Sequence, residues 1–303
     1  MKMQLKALAA AAALLATAGA QAALTSVGTP GNSSAMFVAL ANDRSMSLSV
    51  DLGVSLADFL QARTGYTNNN GALAYAGSDV QAQWNFGANS YALNGAAGGG
   101  NYQWSAAFNS FVTASGGAYA WGVVAGDNTT GAISANNTVF NRNVMGTFVN
   151  LTQGNITGLT SSQMAANAPA NLALYFAGST SGTLGAVGVE GAGTATSGEG
   201  FLPQRLAANG VGNFNTFTGF NWLNTIGGVS RLFTVQQASN PVVYQLGTSY
   251  GVDTLLAGAD AATFSFDGTT LSYQVAAIPE PGTYAMLLAG LSAIGFVVRR
   301  RRG

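Results

Sequence analysis

The chain has no histidine and no cysteine, and those two gaps remove whole classes of chemistry. Ser-His-Asp and Cys-His catalytic arrangements need an imidazole or a thiolate. Zinc sites built from His or Cys ligands go with them, and so do disulfides. Lysine is confined to Lys2 and Lys6, so nothing beyond the first few residues can form a Schiff base. Charge of either sign is scarce, at 7% of the 303 residues. There is no G-x-x-x-x-G-K-[ST] phosphate loop, and neither Gly98–Gly100 nor Gly185–Gly193 carries the dinucleotide fingerprint. These absences leave no catalytic residue, cofactor or metal to nominate.

The formal net charge of zero hides an asymmetry between the ends and the body. Between residues 23 and 278, Arg44, Arg63, Arg142, Arg205 and Arg231 stand against ten acids, a net charge of −5. Nucleic acid is excluded as a partner, because phosphate binding needs clustered Lys and Arg. Asn, Ser, Thr and Gln are left to keep the surface wet, which suits hydrogen bonding to hydroxyl-rich polymers. With no disulfide to help, a body of this length is held by its core. Sixteen Phe, ten Tyr and four Trp supply bulk for one, so the body reads as folded.

Both termini carry targeting patterns. Lys2 and Lys6 precede an Ala/Leu run from Ala7 to Ala18, and Ala20-Gln21-Ala22 forms an A-x-A site before Ala23. This is the three-part pattern of a secretory signal peptide over residues 1–22, removed by signal peptidase. At the other end, Pro279-Glu280-Pro281-Gly282 precedes an uncharged run from Thr283 to Val298, and Arg299, Arg300, Arg301 and Arg302 follow. As a helix rising ~1.5 Å per residue, that run spans about 24 Å. A hydrocarbon core of ~30 Å usually takes closer to 20 residues. The arginines offset the shortfall by extending their charged heads to the interface while the bilayer thins. Four arginines with no nearby acid place the C-terminus in the cytoplasm by the positive-inside rule. The two prolines hold the motif extended and clear of the helix.

Motif, apolar span and arginine cluster, in that order at the extreme terminus, resemble the PEP-CTERM sorting domain of Gram-negative bacteria. The resemblance implies a membrane enzyme, exosortase, as processing partner, with Pro279, Glu280, Pro281 and Gly282 as its recognition element. It further implies transit through the inner membrane, N-terminus out and C-terminus in, and then delivery to the cell surface or extracellular matrix. The context it implies is exopolysaccharide or biofilm. The same kind of tail has also been described at the C-terminus of ice-binding proteins. The opening of the body, Met36–Leu40, Ser47–Leu52 and Leu56–Leu60, is loosely similar to the first hairpin and short helix of other PEP-CTERM ectodomains.

The body between residues 23 and 278 reads as mainly β, an antiparallel sandwich or jelly-roll-like ectodomain with one or two short helices. In Ser45–Leu52, Met46, Leu48, Val50 and Leu52 alternate with Ser45, Ser47, Ser49 and Asp51, the period-2 pattern of a strand with one face buried. Further strands are expected at Met36–Leu40, Val80–Phe86, Tyr102–Val112, Ala118–Val124, Val144–Leu151 and Leu172–Phe176. Toward the end they are expected at Arg231–Gln236, Val242–Leu246, Thr263–Phe266 and Thr270–Val275. Asp267-Gly268 between the last two predicts a two-residue hairpin turn. Helices are expected at Ser55–Arg63, behind a Ser cap with Leu56, Phe59 and Leu60 on one face, and at Ser161–Asn167. The Gly-rich stretch 182–200 is either a surface loop or a link between two halves. No repeat of 20–50 residues recurs, which argues against a solenoid or propeller.

Carboxylates are the remaining reactive groups. Ten acids are enough in principle for a glycosidase pair or for calcium ligands, but Asp253, Asp260 and Asp267 match no calcium loop. Gly247-Thr248-Ser249-Tyr250-Gly251 fits G-x-S-x-G without the histidine that motif requires. Trp84, Trp104, Trp121 and Trp222 offer a sugar-stacking platform if exposed, and core aromatics if not. The reading that follows is a structural or adhesive surface protein, not an enzyme, with exopolysaccharide as a partner. A carboxylate-only glycosidase or polysaccharide lyase is the alternative. Ice binding is a minor one, since Thr194-Ala195-Thr196 and Thr216-Phe217-Thr218 are isolated pairs and not a regular array.

Overall fold

Ser34–Ala41 forms strand β1, and all eight of its residues are buried. The computed structural model describes residues 33–59, 73, 80–128, 142–147, 175, 178–179, 181–205, 223–236, 252–254 and 262–275. After β1 come β2 (Ser47–Ser55), α1 (Leu56–Phe59), β3 (Val80–Asn85), β4 (Ser90–Leu93), β5 (Ala96–Ala97), β6 (Tyr102–Gln103) and α2 (Ser105–Ala114). Then follow β7 (Tyr119–Asn128), β8 (Arg142–Thr147), β9 (Glu190–Ala195), α3 (Leu202–Arg205) and β10 (Asn224–Thr225). The last are β11 (Val229–Gln236), β12 (Val252–Thr254), β13 (Thr263–Phe266) and β14 (Thr270–Val275).

The architecture is mainly β, as expected, in two sheets. One runs β11-β8-β7-β1-β2-β9, with β10 beside β7 and β12 beside β11; the other runs β11-β13-β14-β3-β4-β5. β11 belongs to both. Val229–Arg231 pairs with β13, and Leu232–Gln236 pairs with β8. Pairing is antiparallel except where β6 lies parallel to β9. A tight turn joins antiparallel neighbours such as β3 and β4, which keeps these contacts local in sequence.

The sheets face each other across an aromatic core. The Phe37 ring of β1 lies 4.7 Å from Phe86 and 4.9 Å from Phe266, centroid to centroid. Trp121 of β7 lies 5.8 Å from Phe266. Trp84 of β3 donates its indole N–H to the Leu52 carbonyl of β2 at 2.8 Å, a polar bond across the apolar gap. Fully burying such side chains contributes about 1.5–3 kcal/mol each, and offset or edge-to-face ring pairs add about 0.5–1.5 kcal/mol.

Four expectations need correction. First, both faces of β2 are buried. Ser47, Ser49 and Asp51 are as inaccessible as Leu48, Val50 and Leu52. A further layer covers the serine face. The Tyr175 hydroxyl bonds the Ser49 hydroxyl, and the Leu202 N–H donates to Ser47 Oγ at 3.1 Å. Short hydroxyls satisfied in this way are compatible with burial.

Second, Tyr102–Val112 is not one strand. Two residues pair as β6, and α2 follows. Phe108, Phe111 and Val112 fall on one helical face, with Phe108 and Phe111 buried. The helix is capped from a distant turn, since Asn89 Oδ1 accepts the N–H groups of Trp104 and Ser105 at 2.7 Å each. Gly116 and Gly117, at φ 60° and 74°, end it in the left-handed conformation glycine adopts freely.

Third, residues 182–200 are not merely a loop or link, because they contain β9, paired to β2 from Ser47↔Ala195 to Val50↔Ala192. The glycines serve close approach. A Cβ on Gly191 would collide with the Thr183 carbonyl oxygen, and one on Gly193 with that of Ser181. Thr183 Oγ1 donates to the Gln103 carbonyl at 2.8 Å, stitching this turn to β6.

Fourth, the β13–β14 turn is centred one residue later than expected. Asp267 N–H donates to the Thr270 carbonyl, so Gly268, at φ 105°, and Thr269 form the tip. Asp267 Oδ1 accepts the N–H groups of Thr269 and Thr270 at 2.8 and 2.7 Å.

At the start of α1, Asp58 Oδ2 accepts both the N–H and the hydroxyl of Ser55, which is the carboxylate half of a capping box. Of Leu172–Phe176 only Tyr175 is described, and it is helical. Val242–Leu246 and Ser161–Asn167 lie outside the described residues. So do the two terminal targeting segments.

Gly191→Ala is expected to lower stability sharply, by the few kcal/mol typical of a backbone collision in a core. Gly99→Ala, where nothing lies within 4 Å, should leave it within about 0.5 kcal/mol of wild type. Equal midpoints for the two variants in a thermal melt would refute the close-approach account.

Candidate functional site

Three of the four tryptophans nominated for glycan stacking are core residues. Trp84, Trp104 and Trp121 are each 0% exposed, so no sugar ring can lie on them; Trp222 is outside the described residues. Their placement follows from the fold. Trp84 alternates inward with Val80 and Ala82 on β3, and Trp121 stacks beside Phe37 and donates to the Thr225 carbonyl at 2.9 Å. Trp104 enters α2 and lies 4.6 Å from the Tyr102 ring.

The acids divide into turn formers and a buried pair. Asp43 organises the β1–β2 turn by accepting from the Ser45 N–H and hydroxyl, and those bonds hold its carboxyl below the usual range. Asp58 and Asp267 cap α1 and a hairpin, as described. Asp51 and Glu190 are different. Each is only 4% exposed, and they interact electrostatically although far apart in sequence. A bulge brings them together. Between the Ser34↔Ser55 and Met36↔Asp51 pairings the β1–β2 register shifts, and Gly53 takes φ 68°. Gly53 donates its N–H to Asp51 Oδ1 at 2.9 Å. The Glu190 side chain lies over the same glycine, with its Cγ 2.8 Å from where a Cβ would stand.

Burial is the main cause that lifts the Asp51 carboxyl to about 7; the Gly53 N–H opposes this and the Glu190 charge adds to it. Tyr102, on β6 opposite Glu190, is pushed up to about 12, chiefly by burial. Glu190 Oε2 and Trp104 Nε1 are buried without a hydrogen-bond partner among the described residues. No group of three or more metal-ligating side chains occurs among the described residues. Chemically the pair is two carboxyl groups sealed from solvent at one bulge. Sequence reasoning did not single it out, because Asp51 reads as one polar residue of an alternating strand and Glu190 as a residue of a Gly-rich stretch.

The C-terminal strand leads directly to the terminal signal. β14 lies between β3 and β13 and ends at Val275, and residues 277–302 match the PEP-CTERM protein-sorting motif. The chain carries a PEP-CTERM sorting motif. No curated protein and no solved structure matches the chain. Pro279, Glu280, Pro281, Gly282 and Arg299–Arg302 all fall inside the matched residues, which lie outside the described ones, as do Ala20, Ala22 and Ala23. Among the described residues no helix is long and apolar enough to cross a membrane. The PEP-CTERM motif accounts for export and exosortase-type sorting, and it begins one residue after Ala276.

The Asp51 shift has a definite sign. Its folded value is above the unfolded one, so its contribution to stability is complete below about pH 4 and is lost as pH rises to about 7. The body is therefore expected to be more stable at pH 5 than at pH 8 through this group, by an amount on the order of a few kcal/mol. Asp51→Asn keeps the Oδ1 acceptor and should flatten that part of the profile in denaturant melts run across this range. An unchanged slope would refute the assignment.

Proposed function

We propose that the protein is a non-enzymatic surface component. Its β-rich body is delivered by exosortase-type sorting to a structural or adhesive role in an exopolysaccharide matrix. The observation that carries this reading is the PEP-CTERM match at residues 277–302, which begins two residues after β14 ends at Val275. In this reading signal peptidase cuts before Ala23, and Thr283–Val298 forms a membrane helix with Arg299–Arg302 left in the cytoplasm. Pro279-Glu280-Pro281 is then presented at the outer face of the inner membrane for processing.

The polarity of the body supports the matrix role. Net charge is low and negative, lysine is absent, and amides and hydroxyls dominate the polar surface. The glycosidase alternative draws no support from Asp51 and Glu190. Both are sealed from solvent, whereas a catalytic pair must flank a bound sugar and hold a water.

The test is to express the chain with and without residues 279–303 in a host carrying an exosortase, then locate the protein and map its mature C-terminus. Because β14 ends at Val275, the shortened chain should keep the far-ultraviolet circular dichroism of the full one while losing surface delivery. The wild-type chain should lose its arginine end. An intact arginine-ended tail at the surface would overturn the sorting reading.

A further inference from the structure

The second sheet has an outward face that the function so far leaves unused. Inward, β3 presents Val80, Ala82 and Trp84, and β14 presents Leu271, Tyr273 and Val275, all buried. Outward, the alternate positions are amides and hydroxyls, and the register sets them in two rows across the strands. One row runs Gln83, Ser272, Ser265 and Val229, from β3 through β14 and β13 to β11. The other runs Gln81, Gln274, Thr263 and Arg231 over the same four strands. Between them lies a depression of about 280 Å³, and no acidic or basic residue is among those that line it.

We propose that this trench is a binding site for a neutral polysaccharide chain lying across the strands. The proposal rests on the matrix role given above and supplies the contact surface that the buried tryptophans cannot. Alternate residues on a strand are about 7 Å apart, and neighbouring strands about 4.8 Å apart. The rows therefore form two parallel lines of polar groups, with a new pair at each strand, on the scale of a single sugar ring. Each Gln amide offers both donors and an acceptor, and each Ser or Thr hydroxyl does the same on a smaller scale. That is the mixed polarity needed by a sugar hydroxyl, which also donates and accepts. The side-chain amides of Gln81, Gln83 and Gln274 make no hydrogen bond among the described residues, so they are available. The residues that line the depression supply no cation to an anionic polymer; Arg231 is not among them and stands in register only at the end of the second row. Val229 breaks the polar pattern. It stands 70% exposed at the end of one row, where it offers an apolar contact to the C–H face of a ring.

The test uses the full chain in co-sedimentation and affinity electrophoresis with hydroxyethyl cellulose and a galactomannan as neutral probes, and alginate as an anionic one. The variants are a triple change, Gln81→Ala with Gln83→Ala and Gln274→Ala, and a control, Gln103→Ala, at an exposed glutamine of β6. Thermal midpoints and surface localisation are read alongside. The expected result is retention of wild type and control by at least one neutral probe. The triple variant should weaken by about tenfold or more, the scale of one or two net hydrogen bonds, at an unchanged midpoint. Retention of the triple variant equal to wild type, failure of wild type on both neutral probes, or preference for alginate would each overturn the site. Surface delivery in any of those cases would leave the sorting reading standing, and loss of delivery in wild type would overturn that reading instead.

Discussion

Phe37 is placed where the two sheets meet, and the remaining architecture depends on that contact. Its ring touches Phe86 and Phe266 from the opposite sheet and lies over Trp121 from its own. A chain without disulfides and with few charges has no other strong means of joining two sheets, so dispersion and apolar burial carry the join. The polar bonds inside the core are sparse and specific. Trp84 to Leu52 ties sheet to sheet, and Tyr273 to the Leu73 carbonyl at 2.9 Å ties β14 to a single remote residue. These bonds add little net energy, but each would be costly to leave unmade, so they select one alignment of the sheets among many that would bury the same rings.

Glycine has the complementary role. Where aromatic side chains fill the interior, glycine lets backbone lie against backbone at the rim. Residues 181–184 rest on β9 only because positions 191 and 193 lack a Cβ, and Thr183 uses that proximity to bond Ala192 and Gln103. The bulge at Gly53 is the same device applied to side chains, since it admits Glu190 beside Asp51. One compositional excess therefore serves both the edge of the first sheet and its buried acid pair.

Much of this was legible in the chain. The strands that alternate cleanly, β2, β3, β13 and β14, appear where period-2 patterning places them, because a side chain every second residue must face the same layer. Two features could not be settled by local reading, because burial depends on what else arrives. The serines of β2 look like a wet face until Tyr175 and Leu202 cover them. Trp84, Trp104 and Trp121 look the same in sequence whether they stack on a sugar or on Phe86 and Phe37. Tyr102–Val112 was expected as one strand, although the spacing of Phe108, Phe111 and Val112 already carried the helical period. The cap that fixes that helix, Asn89, lies outside the segment and is invisible to local reading. Asp51 and Glu190 likewise meet only through a bulge and a long-range pairing. The sorting motif was readable in full because it acts as a linear signal and needs no tertiary partner to be recognised.

The position of β14 bears on how such a body would withstand being held by its end. The described residues end at Val275, on a strand paired with β3 from Thr270 to Val275 on one side and with β13 from Leu271 to Gln274 on the other. Tension applied along β14 from that end would load both ladders in shear and strain many hydrogen bonds together. An edge strand pulled from the same point would open one bond at a time. A body held through such an interior strand thus resists extension at that strand more than one held through an edge strand would.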